Sequence, residues 1–343
     1  MRMREQSATR LHRLRGKPGE CPNELVVVDD DWLHGRFRLP VDWPNFADTG
    51  PALWPTVVFH REPVVITQFN DHPVVADANT TIIYNPMRTY TREALTDRGE
   101  RSEWYSVSPT LAIEIARSLG LPADSPESFL PFTHTACTPA LYRDQRRLSV
   151  QLVDPDSDPV QMAEAVFDVF RRALEPGITV RQRRSAAATE PTRQTHRELA
   201  ENAKAVLAQR FGERLTLDEL SDELEVSPFH LARTFRHWTG QTVHKYLTAL
   251  RIAAALDHIA TGMPLTQVAT STGFSSHSHF TQTFGSLLGE SPSAWRRKVL
   301  RPLERLGKDT VFSEATPDAL GSASTAQACA RVMRNRSPNG QSA

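Results

Sequence analysis

Residues Val268–Arg296 have the sequence VATSTGFSSHSHFTQTFGSLLGESPSAWR, which is the most informative segment for the fold of the C-terminal third of the chain. An earlier stretch nearly repeats it. The shared positions, displaced by 49 residues (227 to 276), are Ser227 and Ser276, His230 and His279, Thr234 and Thr283, Phe235 and Phe284, and Gly240 and Gly289. A repeated unit of two short helices and a tight turn predicts a double helix-turn-helix domain over residues 196–300.

The first copy shows how such a unit follows from its residue types. Ser227-Pro228 predicts a capped helix with proline in its first turn, and Gly240 predicts a left-handed end. Ser221 supplies a small side chain where the two helices pass close together. The apolar residues predicted to face the core are Leu217, Leu220, Leu224, Leu231, Phe235 and Trp238.

The second copy follows the same plan, with one extra residue in its turn. Ser276 is predicted to cap its second helix, and Phe284 to anchor that helix in the core. Gly273 lies at the turn, where glycine adopts a positive φ at little cost. Between the copies, Val243–Ile259 predicts one long helix that fixes their separation.

Ten side chains, five from the second helix of each copy, are the predicted DNA-binding residues. Arginine can pair with a guanine edge, and glutamine with an adenine edge, in the major groove. Arg233 and Gln282 are predicted to read bases, and Arg236 to bind a phosphate. The full predicted set is Phe229, His230, Arg233, Arg236, His237, Ser276, His277, Ser278, Thr281 and Gln282.

Charge distribution supports the same prediction. The chain has 40 basic and 40 acidic residues, so a nucleic-acid-binding surface must come from where the charges lie. Residues 198–225 hold eight acidic against three basic residues, whereas residues 226–300 hold seven basic against two acidic residues. The basic half contains both predicted recognition helices, as electrostatic attraction to DNA requires.

The preceding part of the chain, residues 51–176, is predicted to be rich in β-strands and to end in helices. Short β-branched runs separated by turn residues predict an antiparallel sheet or small barrel reaching Val107. Ser108-Pro109 predicts the start of a first helix, and two more are predicted to follow. The runs are Thr56–His60, Val64–Phe69, Val74–Ala76 and Thr80–Tyr84, and the later helices are Pro139–Val153 and Pro159–Leu174.

Three further segments are predicted to lack a packed core. Residues 1–50 are basic and rich in proline, which predicts a loose arm. Residues 177–195 show no helical stripe and predict a linker between domains. Residues 301–343 are rich in Ser, Ala, Gly and Asn and predict a disordered tail.

The C-terminal string resembles the signature of the AraC/XylS family of bacterial transcription regulators, over just under a third of the chain. It runs from Arg251-Ile252-x-x-Ala255 through Gly273-Phe274-x-Ser276 to Gly289-x-Ser291-Pro292-x-x-Trp295-Arg296. The resemblance implies binding to double-stranded DNA in two successive major grooves. It also implies a cupin-like sensing barrel in an α+β chain, a homodimer, a small-molecule effector and RNA polymerase as a possible partner.

Departures from the family pattern make the two units unequal in positive charge. Gln282 stands where the family usually has arginine, and Gly285 where it usually has lysine or arginine. Both changes remove positive charge from the second recognition helix. Trp295 stands where the family usually has tyrosine, and Glu225 stands where it usually has the turn glycine of the first copy, which predicts modest strain. The first unit is therefore predicted to dominate affinity and salt dependence, and the second to contribute sequence preference.

Two other functions are weighed against this one. His60 and His72, with Glu62 and Asp71 nearby, offer ligands for a metal-dependent cupin-type enzyme fused to a DNA-binding domain, but they lack the His-x-His spacing of such sites. A non-specific architectural DNA protein would show almost no sequence preference. With no nucleophile–base grouping or phosphate loop in the sequence, we predict no enzyme activity, catalytic residue, cofactor or metal.

The apolar stripe Met162–Leu174 suits core packing and a dimer seam equally. The seam alternative predicts that Leu148, Leu152, Val166 and Phe170 are buried between two subunits.

Three widely spaced cysteines argue against a disulfide framework. With no apolar run long enough for a membrane helix and no secretory core segment, a cytoplasmic protein without a membrane partner is expected.

Overall fold

A computed structural model describes residues 12–13, 23–68, 71–121, 130–154, 156–183 and 190–306. The strands are β1 (His12–Arg13), β2 (Asn23–Val28), β3 (Trp32–Leu39), β4 (Thr56–His60), β5 (Val64–Gln68), β6 (Val74–Ala76), β7 (Thr80–Tyr84), β8 (Tyr90–Ala94), β9 (Glu100–Val107) and β10 (His134–Ala136). The helices are α1 (Pro109–Ser118), α2 (Pro139–Gln151), α3 (Pro159–Arg183), α4 (Glu190–Arg210), α5 (Leu217–Glu223), α6 (Pro228–Thr239), α7 (Val243–Ala260), α8 (Leu265–Ser271), α9 (His277–Leu288) and α10 (Pro292–Leu306).

The strands form two antiparallel sheets. The larger sheet has the order β1-β2-β3-β9-β4-β7-β10, and the smaller has the order β6-β5-β8. β3 and β9 pair along their whole length, from Trp32 opposite Val107 to Leu39 opposite Glu100. Among the described residues no strand pairing joins the two sheets, so they do not close into a barrel. The predicted α+β class is confirmed, and its β-half is open.

Side chains fill the space between the two sheets. Arg92 on β8 forms a buried ion pair with Glu100 on β9, which ties the smaller sheet to the larger. Nε2 of His60 lies 3.2 Å from Oε1 of the same glutamate. The Arg92 guanidinium also lies 4.8 Å from the centroid of the Phe37 ring. The interior of the β-half therefore combines apolar packing with a buried ionic network.

The region predicted to be a loose arm is partly a sheet. β2 and β3 lie within residues 1–50, and Trp32 and Leu33 are buried. The sequence prediction was wrong here because it had no partner for these short runs. β9 supplies that partner from more than sixty residues away in the chain. The N-terminal residues that lie before β2, apart from β1, fall outside the described ranges.

The region predicted to be a linker is largely helical. α3 continues to Arg183 through Pro176, and α4 begins at Glu190 with Pro191 in its first turn. Proline is tolerated in a first turn, and inside α3 the buried apolar stripe before Pro176 holds the helix in place. Only residues 184–189 of the predicted linker lie outside the described residues. The predicted tail, residues 301–343, is wrong at its start because α10 continues to Leu306, and the part beyond Leu306 lies outside the described residues.

The stripe of α3 belongs to the core of a single chain. Leu148, Leu152, Val166 and Phe170 are all at most 2% exposed, and they pack in one cluster with Val57 and Tyr105 of the large sheet. These four residues therefore cannot form the predicted dimer seam without unfolding the core. Dimerisation itself stays a prediction.

The C-terminal helices divide between two cores, and α7 contributes to both. Leu247 and Leu250 in the first half of α7 pack with α4, α5 and α6. Leu256 and Ile259 in its second half pack with α8, α9 and α10, in a cluster continuous with α2 and α3. The second repeat unit thus shares its core with the N-terminal half. No helix in the described part of the chain has the length and apolar content needed to cross a bilayer.

Candidate nucleic-acid interface

The first repeat unit is α5, a turn and α6, and each helix begins at a side-chain cap. Thr216 and Glu219 form a reciprocal capping box at the start of α5. Hydrogen bonds from the Thr216 backbone and hydroxyl lower the pKa of the Glu219 carboxyl, which favours its charged form. Ser227 caps α6 by accepting from the backbone N–H of His230, and Gly240 ends that helix with a φ of 74°.

The turn between α5 and α6 carries the strain that the sequence predicts. Glu225 has a φ of 54°, a left-handed conformation unusual for a residue with a side chain. The backbone N–H of Val226 donates to the carbonyl of Ser221, and Ser221 is fully buried between the helices. The small serine and the left-handed residue together let the two helices cross closely.

The second repeat unit is α8, a turn and α9, and its turn requires glycine for two reasons. Gly273 has a φ of 78°, and a Cβ built on it would lie 2.8 Å from the carbonyl oxygen of Gly212. Ser276 caps α9 by accepting from the backbone N–H of His279, and Gly289 ends the helix in the left-handed conformation. The predicted caps and turn of both units are present in the structure.

The structure leaves most of the predicted DNA-binding side chains on the surface. Phe229 is 77% exposed, which is unusual for an aromatic residue in a folded domain. Thr281 and His230 are partly buried, and the His230 ring lies 5.5 Å from the His196 ring of α4. The other exposed members of the predicted set are Arg233, Arg236, His237, Ser276, His277, Ser278 and Gln282.

In the first unit these side chains gather around one groove. It is lined by Phe229, Arg233, Arg236 and His237 from α6, together with Leu217 of α5. Leu217 is 37% exposed, so the sequence prediction that it is buried was wrong. It begins α5 beside the groove instead of facing the core. Leu224 is only partly buried as well.

Trp238 also differs from its predicted place. It is partly exposed, and the Arg197 guanidinium of α4 lies 5.2 Å from its ring centroid. By contrast, Leu231 and Phe235 are fully buried, as predicted. Trp238 lies in the last turn of α6, where the helix meets α4 and the N-terminal half instead of the core of its own unit.

Two polar residues outside the predicted set border the same groove. Thr242 caps α7 by accepting from the backbone N–H of Lys245, and His244 is exposed in the first turn of α7. Both line the groove with Arg233 and Arg236. The Thr242 cap was a signal in the sequence, but α7 was interpreted only as a spacer between the units.

The arginines of the predicted basic region have two different roles. Arg251 donates to the carbonyls of Phe211 and Glu213, and burial lowers the pKa of its guanidinium. Arg296 donates to the carbonyls of Gly262 and Met263. Each arginine thus fixes the loop that leads into the first helix of one unit. They build the scaffold and are not placed to read DNA.

The cations left on the surface lie mainly on the first unit. Within the described ranges, Arg233, Arg236 and Lys245 at the first unit are exposed and form no ion pair, and the same holds for Arg297 of α10 beside the second unit. Lys298 near the second unit pairs with Glu290 at 2.7 Å. The second recognition helix carries no lysine or arginine. The charge asymmetry seen in the sequence is therefore also an asymmetry of the folded surface.

The histidines considered as metal ligands occupy different surroundings. His60 is fully buried beside Glu100 between the sheets, whereas His72 lines a cavity near α4. In the part of the chain that the structure describes, no three His, Cys, Asp or Glu side chains are grouped as a metal site requires. Nothing in the geometry favours the metal-dependent enzyme.

Comparison with known proteins agrees with this geometry. Residues 220–298 match the family model described as a helix-turn-helix domain. This part of the chain is an AraC-type helix-turn-helix domain. The match covers both repeat units from α5 to α10, and so includes both helices predicted to read DNA.

Three relatives share this AraC-type domain. The bifunctional transcriptional activator/DNA repair enzyme AdaA of Bacillus subtilis is 31% identical over 90 residues, 26% of this chain and 43% of the relative. The transcriptional regulator Rob of Salmonella typhimurium is 31% identical over 104 residues, 28% of this chain and 36% of the relative. The transcriptional activator RhaR of Klebsiella pneumoniae is 29% identical over 146 residues, 42% of this chain and 49% of the relative.

The chain thus spans less than half the length of these relatives. Among solved structures, ToxT from Vibrio cholerae aligns with 78% of this chain and 99% of its own, at 14% identity and a TM-score of 0.31.

Proposed function

We propose that the protein is a sequence-specific DNA-binding transcription regulator. One observation carries this proposal: two capped helices, α6 and α9, present outward polar faces in duplicate and are joined by the single helix α7. A rigid pair of recognition helices suits two successive major grooves of double-stranded DNA. The relatives named as transcription regulators share this part of the chain.

We assign roles to the outward residues according to their chemistry. Arg233 reads a guanine edge, Arg236 binds phosphate, and Phe229 contacts a thymine methyl group. Gln282 reads an adenine edge from the second unit. His230 is assigned only a partial contribution, since it is half-buried against α4. His237, Ser276, His277, Ser278 and Thr281 complete the proposed interface.

We propose further that the N-terminal half responds to a small molecule. It contacts the AraC-type domain directly, which gives a physical route between them. The Tyr246 hydroxyl of α7 donates to Asp77 at 2.7 Å, and the Asn79 amide donates to the carbonyl of Tyr246 at 2.9 Å. We place the boundary between the halves before Glu190, where α4 begins, and assign no enzymatic activity to either half.

Selection of bound DNA from a random pool, at stated salt concentration, tests the proposed function. The expected result is one enriched sequence with two half-sites about one helical turn apart. The same selection with Arg233→Ala should lose preference at a single base pair in one half-site. Enrichment of no sequence, with equal affinity for all DNA, would contradict the proposal and favour an architectural protein.

A further inference from the structure

The C-terminal end of the second recognition helix, α9, lies against the N-terminal half of the chain. Nη1 of Arg143 on α2 donates to the carbonyl of Leu288, the last residue of α9. The last carbonyls of a helix have no partner within the helix and must be satisfied from elsewhere. A side chain from the N-terminal half therefore completes the end of a helix that is proposed to read DNA.

The charge of Arg143 suits this position. A helix carries partial negative charge at its C-terminal end, so a cation there is stabilising. The last turn of α9 has no basic residue of its own, whereas the last turn of α6 carries Arg236 and His237. In the second unit the cation comes from α2 instead, which lies outside the AraC-type domain.

Arg143 is held in place by an ionic chain that runs to α3. Its Nε atom donates to Oδ1 of Asp144 at 2.8 Å, and Nη1 of Arg172 on α3 donates to Oδ2 of the same carboxylate at 2.9 Å. Arg172 also donates to Asp168 at 3.3 Å. Because each oxygen of Asp144 accepts from one arginine, the carboxylate fixes the direction in which Arg143 points.

Apolar packing joins the same helices. Phe284 and Leu288 of α9 lie in one buried cluster with Leu141 of α2. The first recognition helix differs, since Leu231 and Phe235 of α6 lie in a separate cluster formed mainly by α4, α5, α6 and α7. The first unit thus has a core of its own, whereas the core that holds α9 includes α2.

We propose that Arg143 is a positioning residue for the second reading unit, so that the N-terminal half sets the sequence preference of α9. The inference rests on the proposed function, because it concerns how one recognition helix meets its half-site. Arg143 contacts the end of α9 opposite to His277 and Ser278, and it acts through the orientation of the helix. Binding residues must be held within about 0.5 Å of their productive geometry, so a shift of α9 alters how Gln282 meets a base edge.

Fluorescence anisotropy of labelled DNA with the full chain tests the proposal. One duplex carries the sequence that the wild-type chain selects, and two others each carry one altered base pair, in one half-site or the other. Each alteration should weaken wild-type binding about tenfold. Arg233→Ala identifies the half-site read by α6, because preference is lost there, and the other half-site belongs to α9.

Arg143→Gln removes the cation and leaves every proposed DNA-contacting residue in place. For the duplex altered in the half-site of α9, the loss of affinity should fall from about tenfold to about twofold, because a displaced helix distinguishes the two base pairs poorly. The loss at the half-site of α6 should stay at about tenfold. An unchanged loss at the half-site of α9, or an equal fall at both half-sites, would overturn the positioning role.

Arg147→Gln is the matched control, because Arg147 is an exposed arginine one turn further along α2. It should change discrimination at neither half-site. Arg143→Lys keeps a cation that can donate to the Leu288 carbonyl, so its discrimination at the half-site of α9 should lie between those of wild type and Arg143→Gln. A lysine variant no better than the glutamine variant would show that charge does not position α9. Circular dichroism verifies that each variant is folded.

The wild-type measurement separates this proposal from the proposed function. A chain that selects no DNA sequence would reject the proposed function, and the positioning role with it, before any variant is compared. A chain that selects two half-sites, and discriminates equally well at both after Arg143→Gln, would retain the proposed function and reject only the positioning role.

Discussion

At the residue scale, side chains of one type divide into scaffold and interface according to what surrounds them. Arg251 and Arg296 donate to backbone carbonyls, so their geometry is fixed by the fold. Arg233 and Arg236 are exposed on α6. An exposed arginine keeps its five donors available for bases and phosphates, whereas a scaffold arginine has committed some of them to backbone carbonyls. Sequence alone shows four arginines of the same charge.

The first prediction concerns unequal recognition by the two units. Arg233→Ala should cost about 1–3 kcal/mol of binding free energy and relax specificity at one base pair. Arg236→Ala should weaken binding to all sequences alike and reduce the salt slope by about one. Gln282→Ala should change base preference in the second half-site and leave the salt slope unchanged, because an amide releases no counterion.

Binding isotherms at several salt concentrations measure all three effects. Lys298→Ala serves as a matched control, since that lysine pairs with Glu290 and lies outside α9. A salt slope that falls as much in Gln282→Ala as in Arg236→Ala would show that the roles are assigned wrongly.

A second prediction at this scale concerns His34, which is fully buried in β3. Burial lowers its pKa to about 4, although its Nδ1 donates to the Trp104 carbonyl. In the unfolded chain its pKa returns to about 6.5. Between these two values only the unfolded state takes up a proton, so the free energy of unfolding falls as the pH is lowered from 6.5 towards 4.

From pH 7.5 to pH 5 this single histidine should remove about 2 kcal/mol of stability. Urea unfolding of the full chain at both pH values measures the loss, and His34→Gln, which retains a donor, should reduce it by that amount. An unchanged pH dependence in the variant would place the proton uptake on other groups.

At the element scale, the two repeat units use different residues at the left-handed position of the turn between their helices. The second uses Gly273, where a Cβ has no room beside Gly212. The first uses Glu225 in a left-handed conformation, with its backbone N–H donating to the carbonyl of Asp222. A residue with a side chain costs roughly 1–2 kcal/mol in that conformation. The first unit therefore retains strain that the second avoids.

The third prediction follows from this strain. Glu225→Gly should raise the free energy of unfolding by about 1 kcal/mol, since glycine adopts the required φ freely, although it also makes the unfolded chain more flexible. Glu198→Gly, on an exposed face inside α4, should lower stability by a similar amount. Thermal or urea unfolding compares the two. Destabilisation by both substitutions would mean that Glu225 contributes a contact worth more than its strain.

At the scale of the whole molecule, a buried ionic chain links the large sheet to the helix between the two units. Arg146 of α2 donates to Glu103 of β9 at 2.8 Å and to Asp257 of α7 at 2.7 Å. Burial alone would raise the pKa of Glu103, but Arg146, Arg61 and Arg36 outweigh it and lower that pKa below its ordinary value. The N-terminal half thus contacts α7 directly through Arg146.

The fourth prediction tests this link. Arg146→Met should cost about 3–5 kcal/mol of stability, because it leaves the charge of Glu103 buried with fewer partners. Asp257→Asn should cost less, about 1 kcal/mol, because Asp257 is partly exposed and an amide oxygen can still accept. In a double-mutant cycle by urea unfolding, the two substitutions should be non-additive by at least about 0.5 kcal/mol. Additive losses would show that the Arg146–Asp257 contact does not couple the two halves.

The features that depend on neighbouring residues could be predicted from the sequence alone. The caps at Ser227 and Ser276, the glycine at 273 and the runs that became β4 and β7 are all present in the structure as predicted. Each is specified within a few residues, because a cap, a positive φ or a short β-branched run depends on local residue chemistry. The repeat could likewise be found by comparing the sequence with itself.

The features that depend on distant partners are set by tertiary packing and could not be predicted from the sequence. β3 is a strand because β9 pairs with it, and the stripe of α3 is core because the large sheet covers it. Trp238 meets Arg197 at the edge of a cavity because α6 ends against α4. Residue type and spacing limit which partners a side chain can accept, but burial and pairing are set by whichever element the folded chain brings against it.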